Sequence, residues 1–154
     1  MILDATHNGD SSFERREIFP AKRTRVFAAW TEPDILKKWW GPPGCITHSV
    51  AVDLQVGGHY RFVMQFPPEK VFHIFGGYRE IQPSEKLVFT WQCDLEALDI
   101  GESVVTVHFF EHGASTEVVL VHERIPSLEA RTNFEQGWHA HFGKLANFLS
   151  QQDQ

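Results

Sequence analysis

Residues 25–42 read RVFAAWTEPDILKKWWGP, and this stretch decides how the rest of the chain is understood. It holds three of the five tryptophans. Val26, Phe27 and Trp30 recur at helical spacing, and Ala28 and Ala29 favour helix. Thr31 and Pro33 then read as the cap and first turn of a second helix, since proline is tolerated where no intrahelical N–H bond is required. Ile35, Leu36, Trp39 and Trp40 form that helix's apolar face, and Gly41-Pro42 ends it. Before this stretch, Phe13–Phe19 reads as a strand stopped by Pro20.

After it the period changes from 3.6 to 2. Ile46, His48, Val50, Val52 and Leu54 fall on one face of a strand. Gly57-Gly58 reads as a two-residue hairpin turn, because positive φ angles cost glycine little. The returning strand puts Tyr60, Phe62, Met64 and Phe66 on one face. A third run, Val71–Ile81, contains Gly76-Gly77, which predicts a bulge or bend where the sheet curls. Three further strands follow. Their like-facing sets are Leu87, Phe89, Trp91 and Cys93, then Val105, Val107 and Phe109, then Thr116, Val118, Leu120 and His122, with a loop over 94–102.

From Ser127, a capping residue, the helical period returns. Phe134, Trp138, Phe142, Leu145 and Leu149 make one stripe on a helix of about six turns. Gly137 suggests close approach of this helix to the sheet or to the short helices. The order is β-α-α-β6-α. A long helix with one apolar stripe must bury it, and the concave face of an antiparallel sheet is the available partner. The expected fold is therefore α+β: a curved antiparallel sheet wrapped around the C-terminal helix, with the two short helices closing one end. We expect one domain over residues 13–150 behind a disordered tail over 1–12.

Composition narrows the function. Asp and Glu number 20 against 14 Lys and Arg, a net charge of -6, which disfavours nucleic acid as a partner. The two cysteines, Cys45 and Cys93, imply no disulfide framework, and no apolar run is long enough to span a membrane. No signal peptide is legible at the N-terminus, so the expected location is the cytoplasm. The nine histidines lack metal-ligand spacing: there is no HExxH, and His139 and His141 diverge on their helix. No metal and no cofactor are expected. There is no GxSxG elbow and no phosphate-binding loop. A homodimer is compatible with the sequence.

The runs RVFAAWTEPDILKKWWGP, DLQVGGHYRFVM, GGYREIQPSEKLVFTW, SVVTVHFF, ASTEVVLVHERI and EQGWHAHFGKL resemble the heat-shock-protein-90 ATPase activator homologue family. That family lies in the START-like superfamily, with polyketide cyclases, aromatases and the Bet v pollen allergens. The resemblance runs from about residue 13 to 149. It implies the helix-grip fold and a hydrophobic cavity between sheet and long helix, and it brings no catalytic set.

The expected function is binding of a hydrophobic or amphipathic small molecule in that cavity. The candidate lining is Trp39, Trp40, His48, Tyr60, Phe62, Met64, Phe75, Phe89, Trp91, Phe109, His122, Phe134, Trp138 and Phe142. Two alternatives stand beside it. One is a cyclase- or aromatase-like enzyme using His48, His122 or Tyr60 as acid and base. The other is a chaperone-activator-like protein that acts through its surface.

Overall fold

The computed structural model describes residues 12–95 and 99–152. It contains β1 (Ser12–Phe19), α1 (Arg23–Thr31), α2 (Pro33–Trp39), β2 (Ile46–Val52), β3 (His59–Phe66), β4 (Lys70–Gln82), β5 (Lys86–Cys93), β6 (Ser103–His112), β7 (Ser115–Glu123) and α3 (Leu128–Gln152). The expected tail lies outside the described residues except for Ser12, which opens β1. So does part of the expected loop over 94–102, at residues 96–98.

The seven strands form one antiparallel sheet in the order β1-β7-β6-β5-β4-β3-β2. β1 pairs with β7, the last strand, while β2 lies at the opposite edge. The chain must therefore cross the whole sheet between its first and second strands. The sequence placed its two short helices at that crossing. α1 and α2 carry the chain over one end of the concave face, and the six consecutive strands β2–β7 then lead back to β1. The α+β helix-grip architecture follows, with α3 against the concave face.

Burial explains the curvature. The α3 stripe Phe134, Trp138, Phe142, Leu145 and Leu149 is buried throughout. It meets the inward sets of β7 (Thr116, Val118, Leu120, His122), β6 (Val105, Val107, Phe109), β5 (Leu87, Phe89, Trp91, Cys93) and β3 (Tyr60, Phe62, Met64). Each large apolar side chain removed from water contributes about 1.5–3 kcal/mol. Ser127 caps α3 as the sequence predicts, its Oγ accepting from the Ala130 N–H at 3.1 Å. The α1–α2 end is also tied to α3 by polar contacts: the Arg25 guanidinium donates to the Leu149 carbonyl at 3.0 Å, and Lys144 Nζ to the Gly41 carbonyl at 2.8 Å.

Local chemistry departs from the sequence reading at four points. Thr31 does not cap α2. It ends α1, with its hydroxyl bonded to the Phe27 carbonyl at 2.9 Å, and Glu32 is the N-cap residue. Gly57-Gly58 is not a two-residue turn, because β2 ends at Val52 and β3 begins at His59. Gly57 does hold a positive φ of 90°, whereas Gly58 is needed because a Cβ there would lie 2.2 Å from the Asp53 carbonyl oxygen. In β2 the register shifts between Thr47 and Ser49, so His48 is the extra residue of a bulge and the alternation reverses across it. Finally, Gly137 does not serve close packing, since a Cβ built on it meets nothing within 4 Å.

The glycine environments make opposite predictions. Gly137→Ala should raise stability by about 1 kcal/mol, the helix-propensity difference between the two residues. Gly76→Ala should lower it by about 2–3 kcal/mol, because its Cβ would lie 1.9 Å from the Thr90 carbonyl oxygen on β5. Urea unfolding monitored by tryptophan fluorescence checks both, and equal effects of like sign would refute the assignment.

Candidate functional site

All five tryptophans converge in one cluster between the sheet, the short helices and α3. Trp138 sits at its centre. Its ring stacks on Trp30 at 5.8 Å between centroids, meets Trp40 edge-on at 5.5 Å, and lies 5.4 Å from Trp91. Trp39 bridges Trp30 and Trp40, at 5.4 Å from each, and its indole N–H donates to the Ala29 carbonyl at 2.9 Å. Trp40 stacks on Phe62 of β3 at 4.5 Å. Offset and edge-on pairs of this kind add about 0.5–1.5 kcal/mol each beyond area burial.

This packing fills the space that the fold makes available. The void left inside has a volume of about 20 Å³, room for a single water molecule. It is bordered by Trp30, Leu36, Trp40, Val52, Tyr60, Phe62, Tyr78, Phe89 and Trp91. Of the residues expected to line a cavity, Trp40, Tyr60, Phe62, Phe89 and Trp91 border this void. Trp39, Met64, Phe109, His122, Phe134, Trp138 and Phe142 are buried in the surrounding cluster. Trp39 and Trp40 are both buried, and of the two only Trp40 borders the void.

Two expected residues lie elsewhere. His48 is exposed, because the β2 bulge turns it outward, and its ring bonds the Gln65 side chain at 2.5 Å. Phe75 is directly opposite exposed Arg61 on β3 and Gln92 on β5, which puts it on the outer face of the sheet. The unbroken alternation assumed for β2 could not reveal a bulge. In β4 the alternation runs unbroken through the glycine pair, so Tyr78 shares the inward face with Phe72 and Ile74, and the register shifts only between Tyr78 and Glu80.

The buried polar groups form a directional chain. Trp138 Nε1–H donates to His122 Nδ1 at 3.1 Å. An indole nitrogen can only donate, so Nδ1 is the acceptor and the neutral ring carries its proton on Nε2. Nε2–H donates to Ser103 Oγ at 2.7 Å, and the Ser103 hydroxyl donates onward to the Trp91 carbonyl at 3.3 Å. Phe13, Trp91 and Phe134 wall the imidazole, with Phe134 at 4.6 Å. Burial pushes the His122 pKa down to about 3. Both ring nitrogens are therefore occupied and the ring is held neutral. Tyr60 is similarly engaged: its hydroxyl donates to the Thr90 carbonyl at 2.6 Å, and burial raises its pKa well above the ordinary phenol value. Cys93 is buried, which raises its thiol to about 11 and suits an inert apolar role.

Other polar atoms in the cluster are not satisfied. The indole N–H groups of Trp30, Trp40 and Trp91 are buried without a hydrogen-bond partner, and so is His141 Nε2. His141 donates from Nδ1 to the Gly137 carbonyl at 2.6 Å, and its ring lies 4.4 Å from that of Trp40. Burial lowers its pKa to about 4. The sequence reading weighed His141 only as a metal ligand and not as a buried residue of the aromatic cluster. Its one available signal was its place three residues after Trp138, on the flank of the apolar stripe.

An antiparallel sheet gripping one long helix, with an aromatic interior closed by two short helices, defines the START-like class. The chain belongs to the family described as activator of Hsp90 ATPase homolog 1-like protein, whose profile matches residues 20–150. Solved structures share the fold. A Chromobacterium violaceum protein superposes with a TM-score of 0.81 at 24% identity, covering 90% of this chain and 97% of its own. The AHSA1 protein from Silicibacter pomeroyi gives 0.81 at 23%, covering 92% and 99%. A Nitrosomonas europaea protein gives 0.78 at 21%, covering 93% and 96%. No curated protein matches the chain. Among the described residues no helix is long and apolar enough to cross a membrane.

The two buried histidines predict a specific acid sensitivity. Their folded pKa values lie below the ordinary 6.5, so the unfolded chain takes up protons that the folded chain refuses. Their contribution is complete above pH 6.5 and is lost as pH falls toward about 4, at about 1.4 kcal/mol per pH unit for each ring. Urea titrations between pH 7.5 and 4.5 should show stability dropping along this limb. His122→Phe should be less stable at pH 7.5 and should show a visibly flatter slope. A slope matching that of the parent would refute the assignment.

Proposed function

We propose that the protein binds an amphipathic small molecule in the space between the sheet and α3. In this reading the ligand displaces part of the aromatic packing rather than filling a standing cavity. One observation carries the proposal: three tryptophans bordering the one-water void, Trp30, Trp40 and Trp91, hold buried indole N–H groups without acceptors. Leaving such a group unpaired costs about 1–3 kcal/mol. A core selected for packing alone would use phenylalanine or leucine at these positions and avoid that cost. A flat apolar ligand with acceptor atoms would recover it, and this chemistry describes the ligand: aromatic or polycyclic, with carbonyl or hydroxyl oxygens.

Access is by movement of α2 and its C-cap residue Trp40. α2 is short, has no side-chain cap bond, and contributes Leu36 and Trp40 to the void. A standing pocket for a drug-sized ligand is about 300–1,000 Å³, so the bound and free states differ in the position of this segment. The cyclase-like alternative is weaker, because His122 and Tyr60 both spend their protons on protein acceptors and His48 is outside. A chaperone-activating role rests on the family match, whose description names that activity for its relatives.

Native mass spectrometry of freshly purified protein should show a small-molecule adduct lost on activation. A neutral amphiphile such as 1-naphthol should shift the indole N–H resonances of Trp30, Trp40 and Trp91. Trp40→Ala should bind that probe about tenfold more tightly, since less aromatic packing must be displaced. Absence of both an adduct and any indole shift would overturn the reading. Stimulation of a chaperone ATPase by the same preparation would favour the activator role.

A further inference from the structure

The outer face of the sheet carries a groove of about 680 Å³ where β3, β4 and β5 run side by side. It is separate from the interior void, and tryptophan does not line it. Its origin is the pair Gly76-Gly77, whose two members have different reasons to be glycine. Gly76 is required by packing, as its clash with the Thr90 carbonyl shows. Gly77 is not. Its φ is not in the positive region, and a Cβ there would meet the Gly58 oxygen at 3.5 Å and the His59 ring at 3.7 Å, both ordinary contacts. A strand interior disfavours glycine. What its presence at position 77 achieves is the hollow itself.

The side chains around the hollow have one charge left over. Asp94 is engaged by His73 twice, accepting from the backbone N–H at 2.6 Å and from ring Nδ1 at 2.8 Å. Arg79 pairs with Glu102 at 3.2 Å. Arg61 alone among the groove's charged side chains has no ion-pair partner among the described residues. It stands directly opposite Phe75, which stands directly opposite Gln92, so a cation, an aromatic ring and an amide form one row across three strands. That row abuts the gap at Gly77.

We propose that this groove is a second binding site, specific for a small aromatic carboxylate. The ligand ring lies against Phe75 and into the space above Gly77, and its carboxylate accepts hydrogen bonds from the Arg61 guanidinium and the Gln92 amide. The site is independent of the interior reading. It faces solvent and needs no movement of α2.

Benzoate is the probe, with benzamide as its uncharged counterpart, and amide and indole resonances are followed in a proton–nitrogen correlation titration. Benzoate should bind with a Kd on the order of a millimolar and shift His59, Gly76 and Gly77 while leaving the indole N–H signals in place. Benzamide should bind at least about fivefold more weakly, since it lacks the charge that Arg61 pairs. Gly77→Val should abolish binding by filling the hollow. Arg61→Gln, an exposed change, should weaken benzoate binding about tenfold and leave benzamide unchanged. Unfolding midpoints of both variants are measured alongside, and Arg61→Gln decides the matter if Gly77→Val fails to fold. Three results would overturn the proposal: no shifts at tens of millimolar benzoate, shifts confined to the indole signals, or equal affinity in parent and Arg61→Gln.

Discussion

The interaction on which the structure depends is the seating of Trp138 among the other four tryptophans. This one side chain joins the three parts of the fold. It belongs to α3, stacks on Trp30 of α1, meets Trp40 at the end of α2, and reaches Trp91 of β5. Its N–H also opens the buried chain through His122 and Ser103 to the β5 backbone. The helix, the lid and the sheet are thus held by a shared aromatic contact and a directional set of hydrogen bonds. Losing either leaves a cavity or an unpaired donor in the middle of the core.

The polar atoms of the interior divide into two groups. Around His122, between α3 and β7, they are paired, and the pairing determines the His122 tautomer. Toward α2 they are not, and the unpaired indole donors gather where the packing is least complete. The unpaired donors lie beside the short α2, which has no side-chain cap bond. The binding function proposed for the interior uses that asymmetry.

The two faces of the sheet also differ in how they use glycine. On β4, Gly76 relieves a backbone clash, while Gly77 leaves an opening on the far side. A single dipeptide therefore serves both the close approach of the β5 backbone at Thr90 and the shape of the outer surface. Charge pairing follows the same division: Asp94 and Glu102 are committed to neighbours, and Arg61 is left facing the opening.

By itself the sequence determined the architecture. The stripe from Phe134 to Leu149 has one period and one face, the strands alternate, and a Trp-rich helical break separates the first strand from the rest. Only one packing buries all of these together. The sequence also indicated most of the aromatic residues that meet in the interior. Tertiary structure decided what those residues enclose. Whether ten aromatic rings line a cavity or close it depends on interplanar angles and centroid distances, which no spacing encodes, and here they close it to about 20 Å³. Tertiary structure also decided the fate of single positions. One extra residue at the β2 bulge turned His48 outward, whereas β4 alternates without a break from Phe72 to Tyr78, which puts Tyr78 inward and Phe75 outward. A period-2 pattern states alternation but not where it slips, and a slip of one residue exchanges the two faces of a sheet.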